Sequence, residues 1–265
     1  MLAIERRKLI LEQLHEEKRV VVSELSRRFD VSEETIRRDL DKFEKEDLVT
    51  KSYGGAVLKE SVGAEMPFKA RKKQNMLGKQ LIGRILSDMI SDGDHILLDP
   101  STTALSIVKA LRMTGKKDIT IITNSIEVLV ECAEDTGWEV ISTGGTLQAD
   151  KYALVGPKAI AGIESFHVDK AIISCKGFDQ KKGLTDVNDM FSQVKQTMLS
   201  NASQRILAVD YTKFDKVAFS RICEISDIDM VVTDVQPSDA WMGYFKDKGM
   251  TCLYGEEDQR YSICK

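Results

Sequence analysis

Ser32-Glu33-Glu34-Thr35-Ile36-Arg37-Arg38-Asp39-Leu40 is the stretch on which the reading of this chain turns. Ser32 suits an N-cap, because its hydroxyl can accept from a free amide of the first helical turn. Glu33 and Glu34 sit where the positive end of a helix favours acids. Ile36, Leu40 and Phe43 recur at four- and three-residue steps, which predicts a helix over about 33–46 with those side chains inward. Ser32, Glu34, Thr35, Arg37, Arg38 and Lys42 are left on the outer side. Short polar groups at the start of a capped helix can reach base edges in a major groove, and arginine forks pair with phosphate or guanine.

Working outward, residues 3–17 carry Ile4, Leu9, Ile10, Leu11 and Leu14 on one broad face and read as a first helix. The run Val20-Val21-Val22 suits a brief strand. Ser23 is then expected to cap a second helix, 24–29, which sends Leu25 and Phe29 to a core, and Asp30-Val31 makes a tight connection. On the other side, 48–58 forms two extended runs around Gly54-Gly55, a hairpin wing whose paired glycines are expected to supply positive φ. Lys51 and Tyr53 lie where a wing would touch DNA backbone or minor groove. Adjacent arginines on a helix usually mark nothing more than a solvated face. The ordered series of helix, capped helix, tight turn, capped helix and Gly-Gly hairpin is far more specific.

That series resembles the winged helix-turn-helix of the DeoR family. The resemblance is carried by Glu5-Arg6, Val21-Val22-Ser23-Glu24-Leu25, Phe29, Val31-Ser32, Thr35-Ile36-Arg37-Arg38-Asp39-Leu40 and Gly54-Gly55-Ala56. Ser52-Tyr53 departs from it, since family members commonly have a histidine before the glycines. The resemblance implies double-stranded operator DNA as a partner and 1–58 as the DNA-binding domain.

Residues 59–74 lose periodicity and include Gly63 and Pro67, so a linker is placed there. The basic run 69–73 within it reads as a solvated helix start. From 75 to 265, short apolar runs alternate with helical patterns: 95–99 precedes a helix at 103–113, and 119–124 precedes one at 125–136. Further runs lie at 140–142, 171–174, 205–210 and 230–234. Strands apolar throughout and interleaved with helices imply an α/β domain with a mostly parallel sheet covered on both faces. Ligands of such sheets bind at the carboxyl ends of strands, and polar residues gather there. Asp99-Pro100-Ser101-Thr102-Thr103 is a hydroxyl-rich strand-to-helix turn suited to a phosphate. Thr123-Asn124, Gly144-Gly145, Lys176-Gly177, Asp210 and Lys213 follow other strands. Lys176 and Lys213 could hold a phosphate, while Asp99 and Asp210 could accept from sugar hydroxyls.

The resemblance continues here, to the DeoR sensor domain, whose fold is similar to ribose-phosphate isomerases and CoA transferases. Asp99, Ser101, Thr102, Thr103, Thr123, Asn124, Gly144, Gly145, Gly156, Gly177, Gly183, Thr185, Lys195, Asp210 and Lys213 fall on matching positions. It implies a phosphorylated sugar as effector, with no further cofactor. Pro100-Ser101 replaces the usual x-Gly of the phosphate loop, and only some members share Lys176. A homo-oligomer is expected, since repeated half-sites call for symmetric subunits.

The bulk properties bound these readings. The 265 residues suffice for two domains, and 42% hydrophobic with 30% charged residues is ordinary for a globular chain. Net charge is −4, and residues 1–60 hold thirteen Lys/Arg against fourteen Asp/Glu, so DNA binding does not follow from charge. Five scattered cysteines fit reduced thiols in a cytoplasm, with neither a disulfide framework nor a zinc site. No signal peptide or membrane span is visible. His15, His95 and His167 are isolated from one another, so no metal site is expected. A Gly-x-x-x-x-Gly-Lys-Ser/Thr loop is lacking, which removes a nucleotide switch of that kind. The enzymatic alternative is a sugar-phosphate isomerase using Asp99, Asp210 or Lys195, but an isomerase has no use for a DNA-reading module.

Overall fold

The computed structural model describes residues 3–45, 48–58, 68–133, 137–256 and 261–264. They form two compact units, Met1–Gln74 and Asn75–Lys265. The first contains α1 (Ala3–Glu17), β1 (Arg19–Val21), α2 (Val22–Phe29), α3 (Glu33–Lys45), β2 (Val49–Ser52), β3 (Gly55–Leu58) and α4 (Phe68–Lys73). Its core joins Ile10 and Leu14 of α1, Val22, Leu25 and Phe29 of α2, and Ile36, Leu40 and Phe43 of α3. Val20, Val49 and Ala56 complete it from the three strands, which pair antiparallel in the order β1-β3-β2. Arg6 donates from Nε to Asp39 Oδ2 at 2.7 Å, both buried, and so fastens α1 to the inner side of α3.

Two local expectations need correction. Ser23 does not cap α2. The helix begins two residues earlier, at Val22, Val21 holds the cap position without a side-chain bond, and the Val22 amide donates instead to Gly54 O at 2.8 Å. Burying Val22 in the core draws it out of the strand and into the first turn. The wing glycines are also not equivalent. Only Gly54 has positive φ (86°), whereas a Cβ on Gly55 would lie 2.1 Å from Val20 O, so Gly55 permits β1 to pair with β3. Asp30 makes the tight turn with φ 51°. Within the stretch expected as linker, Phe68–Lys73 is helical with Phe68 and Ala70 buried, while 59–67 lie outside the described residues.

The second unit runs α5 (Met76–Met89), β4 (His95–Leu98), α6 (Thr102–Arg112), β5 (Thr120–Thr123), α7 (Ile126–Cys132) and β6 (Glu139–Ser142). Then come β7 (Thr146–Gln148), β8 (Ala153–Val155), α8 (Pro157–Glu164), β9 (Val168–Ile173), β10 (Gly177–Asp179) and β11 (Gly183–Asp186). It ends with α9 (Asp189–Ser200), β12 (Ala202–Ala208), β13 (Ser220–Cys223), β14 (Met230–Thr233), α10 (Asp239–Lys248), β15 (Thr251–Gly255) and β16 (Tyr261–Cys264). The main sheet has eight strands, β6-β5-β4-β9-β12-β14-β15-β16, parallel except for the last pair. Period-two alternation separates its faces. Leu97, Ile122, Ala171, Ile173, Leu207 and Val231 meet the layer of α8, α9 and α10. Ile96, Leu98, Ile121, Ile172, Ile206 and Val232 meet that of α5, α6 and α7. β7 and β8 form a hairpin, and β10, β11 and β13 a small antiparallel sheet.

Strand order decides where a ligand can enter. After β4 the chain winds outward through β5 and β6, then β9 returns to the other side of β4 and winding proceeds through β12, β14 and β15. The helices change face at the same place: α6 covers one side of the sheet and α9 the other. The β4/β9 boundary is thus a topological switch point, where the loops leaving two neighbouring strands diverge and open a crevice.

Candidate functional site

In the first unit, α3 presents its outer side as composition and period require. Ser32 Oγ accepts from the Thr35 amide at 3.2 Å and lies 2.9 Å from Thr35 Oγ1, which caps the helix and orients both hydroxyls. Ser32, Glu34, Arg37, Arg38 and Lys42 are exposed, and Thr35 is half-buried. Arg37 bonds Glu33 at 2.7 Å and Arg38 faces Glu34 at 3.4 Å, both one turn back. In the wing, Lys51 Nζ reaches Asp41 at 2.6 Å and Glu44 at 3.2 Å; the hydrogen bond to Asp41, followed by that to Glu44, raises its pKa. Tyr53, at the hairpin tip, is fully exposed. The charged groups therefore stand ready with partners that phosphate can replace. Pairs this exposed are weak, because solvent screens them and holding two long side chains costs entropy, so the exchange is cheap.

In the second unit, buried polar residues collect at the carboxyl end of the sheet: Asp99, Ser101, Thr102, Thr103, Thr123, Asn124, Thr143, Ser174, Asp186, Lys195, Asp210 and Asp234. Asp99 leaves β4 at the switch point. Its Oδ1 accepts from the Ser101 amide at 3.2 Å, and its Oδ2 accepts from the Ser174 amide, just past β9, at 2.9 Å. Ser101 caps α6 by accepting from Ala104 N at 2.9 Å. The amides of Thr102 and Thr103 remain as unsatisfied donors of the first turn. Their hydroxyls are likewise without a partner among the described residues. The two free amides thus lie in the first turn, at the positive end of an eleven-residue helix.

Lys195 sits beneath this point rather than in it. Its Nζ contacts Ser174 O at 2.6 Å, Asp186 Oδ2 at 2.5 Å and Asp99 Oδ2 at 3.1 Å, which occupies its three protons. Burial by itself would lower its pKa, but Asp186 and Asp99 outweigh burial and raise it. Asp186 shows the mirror case. Burial would push the carboxyl up, yet the Lys195 ammonium, and behind it Lys176, hold it below the ordinary value. Lys195 therefore stays charged and pins three loops, those after β4, β9 and β11. The sequence does not single out Asp186; its one signal there is the Gly183-Leu184-Thr185-Asp186 run, which ends nine residues before Lys195.

The remaining candidates are distributed around this centre. Thr123 donates to Leu98 O at 2.7 Å and joins the ends of β4 and β5. Asn124 follows it, fully buried, with Nδ2 donating to Leu154 O at 2.8 Å. Asp210 follows β12 and accepts from the Thr212 amide at 3.0 Å and from the Thr212 hydroxyl, while Lys213 Nζ lies 4.0 Å from Asp210 Oδ1. Lys176 is half-buried beside Asp186. Gly177 is needed by the fold, since a Cβ there would lie 2.4 Å from Lys216 O. Gly145 likewise brings the backbone against Val155 O and Ala159, not against open space, whereas Gly144 is exposed. Both follow β6, two strand spacings or about 10 Å from β4. No group of His, Cys, Asp and Glu suited to a metal ion exists among the described residues.

Residues 6–62 match the family model of the DeoR-like helix-turn-helix domain, and 74–235 match that of the DeoR C-terminal sensor domain. The chain belongs to the DeoR family. Among its relatives are the HTH-type transcriptional regulator YulB of Bacillus subtilis (strain 168), 38% identical over 88% of this chain and 90% of that protein. The repressor GlcR of the same organism is 32% identical over 96% and 97%. The regulator GolR of Listeria innocua is 31% identical over 97% and 100%. This DeoR-family chain is accordingly a DNA-binding transcriptional regulator and not an enzyme. Among solved structures, the eIF2B delta subunit of Chaetomium thermophilum overlays 60% of this chain and 56% of its own at TM-score 0.45 and 15% identity. Ribose 5-phosphate isomerase A of Methanocaldococcus jannaschii overlays 53% and 55% at TM-score 0.38 and 16% identity. Overlaps this partial bear on neither ligand nor activity. No helix among the described residues is long and apolar enough to cross a membrane.

Proposed function

We propose that this regulator represses a carbohydrate-utilisation operon and that a phosphorylated sugar controls its grip on the operator. Ser32, Glu34, Thr35, Arg37, Arg38 and Lys42 face the major groove, and Lys51 and Tyr53 touch backbone or minor groove. Two or more copies bind repeated half-sites as a homo-oligomer. The effector lies in the crevice at the β4/β9 switch point. One observation carries this assignment: the Thr102 and Thr103 amides open α6 as a cradle of free donors, and neither these amides nor the two buried residues' hydroxyls have a partner among the described residues. A phosphate dianion is the ligand such a cradle fits. Lys176 and Lys213 flank it, Asp99 and Asp210 accept sugar hydroxyls, and Ser101, Thr123, Asn124, Gly144, Gly145 and Gly177 shape the walls. Lys195 acts through Asp99, holding its carboxylate in place.

Release follows if the effector binds the DNA-competent and DNA-incompetent arrangements unequally. Mobility shifts with Arg37→Ala/Arg38→Ala are expected to lose operator binding, and affinity retained at moderate salt would remove the assignment of α3. In thermal-shift screens, phosphate esters should stabilise the native chain and not Thr102→Ala/Lys213→Ala. Stabilisation by free sugars alone would contradict the cradle.

A further inference from the structure

Asn75 occupies the place of a helix cap and does not act as one. It precedes the first residue of α5 with φ 45° and ψ 47°, and its side chain makes no capping bond to that helix. A capping asparagine is ordinarily extended and bonds an amide of its own first turn. Here Nδ2 donates instead to Asp234 Oδ2 at 2.7 Å, across 159 residues of chain. Gly78, inside α5, leaves room for this bond. A Cβ there would lie 2.3 Å from Asp234 Oδ2 and 2.6 and 2.8 Å from the Asn75 amide atoms. Glycine is otherwise a poor choice within a helix, so three residues are fitted to one link.

Asp234 is buried where β14 ends, and its two oxygens have different holders. Oδ2 takes the Asn75 amide group, whereas Oδ1 accepts from the Tyr211 amide at 2.8 Å and from the Thr233 hydroxyl at 3.3 Å. Tyr211 stands between Asp210 and Lys213 in one short turn, closed by the Lys213 amide donating to Asp210 O at 3.1 Å. A carboxylate is planar and rigid, so its two contacts cannot move separately. A shift of Tyr211 turns the group and draws on Asn75. Asn75 is also the first residue of the second unit, joined directly to Gln74, the last of the unit that carries the winged helix. The chain thus enters the sensor unit at the carboxyl end of its sheet, tied to the turn that carries Asp210 and Lys213.

We propose that Asp234 couples the effector loop after β12 to the junction between the two units, with Asn75 as its contact at that junction. The proposal rests on the phosphorylated-sugar reading above and adds how occupancy reaches the DNA-binding unit. When Lys213 engages a phosphate and Asp210 a hydroxyl, the Asp210–Lys213 turn moves as one piece. Asp234 follows through the Tyr211 amide, and its bond to Asn75 is shifted or released. The chain direction at Gln74–Asn75 then differs between the occupied and the empty state, which is the inequality that release of DNA requires. Asp234, Asn75 and Gly78 are positioning residues in this scheme, and none of them touches the effector.

Operator affinity of the full chain is measured with and without ribose 5-phosphate, glucose 6-phosphate, fructose 1-phosphate and glycerol 3-phosphate, and the ester of largest effect is kept. Calorimetry gives that ester's affinity for the protein without DNA. Asn75→Gly accepts the positive φ but has no amide group to give, so both separate affinities should stay within about threefold of native. The weakening of operator binding by the ester, about 5–150-fold in the native chain, should fall below about twofold. Gly78→Ala wedges a methyl into the same bond and should do likewise; it decides alone if Asn75→Gly does not fold. A link that only holds α5 in place would lower the urea midpoint and leave the ester's effect on DNA intact, and that result overturns the proposal. Loss of ester binding in both variants also overturns it, because Asn75 would then belong to the ligand site. A native chain whose operator affinity responds to no ester removes the underlying reading, and this proposal with it.

Discussion

Asp39 belongs to the Thr35–Leu40 stretch, yet it points away from the reading face and into the buried pair with Arg6. Changing it to alanine leaves a guanidinium with no carboxylate among groups closed to water. Breaking a buried pair from one side destabilises by about 3–5 kcal/mol. A unit of this size loses about 4–8 °C of midpoint per kcal/mol, so Asp39→Ala should fall by roughly 12 °C or more. The double substitution Arg6→Met/Asp39→Leu removes both charges and fills the space, and should recover to within about 1 kcal/mol of the native chain. Arg37→Ala serves as control: it breaks a half-exposed pair with Glu33 and should move stability by less than about 1 kcal/mol. Hydrogen exchange of α1 and α3 peptides in the full chain, followed across urea, separates this unit from the other. A single variant within about 1 kcal/mol of native, or a double variant as unstable as the single, would refute the reasoning.

Two further outcomes follow from the geometry. Asp186 has a depressed folded pKa, so its contribution is complete above the unfolded value of about 4 and is lost as pH falls through the folded one. In Lys195→Met burial acts without the ammonium and raises that pKa, so the variant's deficit should be largest near pH 8 and shrink toward pH 4; urea midpoints shifted equally at every pH would contradict this. In the wing, Gly54→Ala meets open space and only the cost of positive φ, about 1 kcal/mol, whereas Gly55→Ala must part β1 from β3 and should cost more in the same urea assay. Equal losses would show that the glycines have one role after all.

Much of this architecture is legible in the sequence because period and apolar content act locally. The inward set Ile36, Leu40 and Phe43 is visible from spacing, and the buried strands at 95–98, 120–123 and 230–233 are visible as apolar runs. What is not legible depends on partners distant along the chain. Lys195 finds Asp99, Ser174 and Asp186 only once three loops meet. The three-residue strand β10 is too short for period two to register, so the small sheet carrying Asp186 escapes. Ser23 reads as a cap because capping chemistry is local, but the burial of Val22 overrides it. Gly55, Gly145 and Gly177 look like turn or ligand glycines, and their reason is a backbone approaching from elsewhere.

The central claim, that a phosphorylated sugar in the β4/β9 crevice controls operator binding, is tested most directly by fluorescence anisotropy. The DNA is a duplex recovered from random sequence by selection on the full chain, titrated at fixed salt with and without each phosphate ester that stabilises the protein. The account predicts that at least one ester weakens binding by about 5–150-fold, a coupling of about 1–3 kcal/mol. It also predicts that Thr102→Ala/Lys213→Ala abolishes this response while leaving affinity for DNA alone unchanged. Operator affinity indifferent to every ester the protein binds would contradict it.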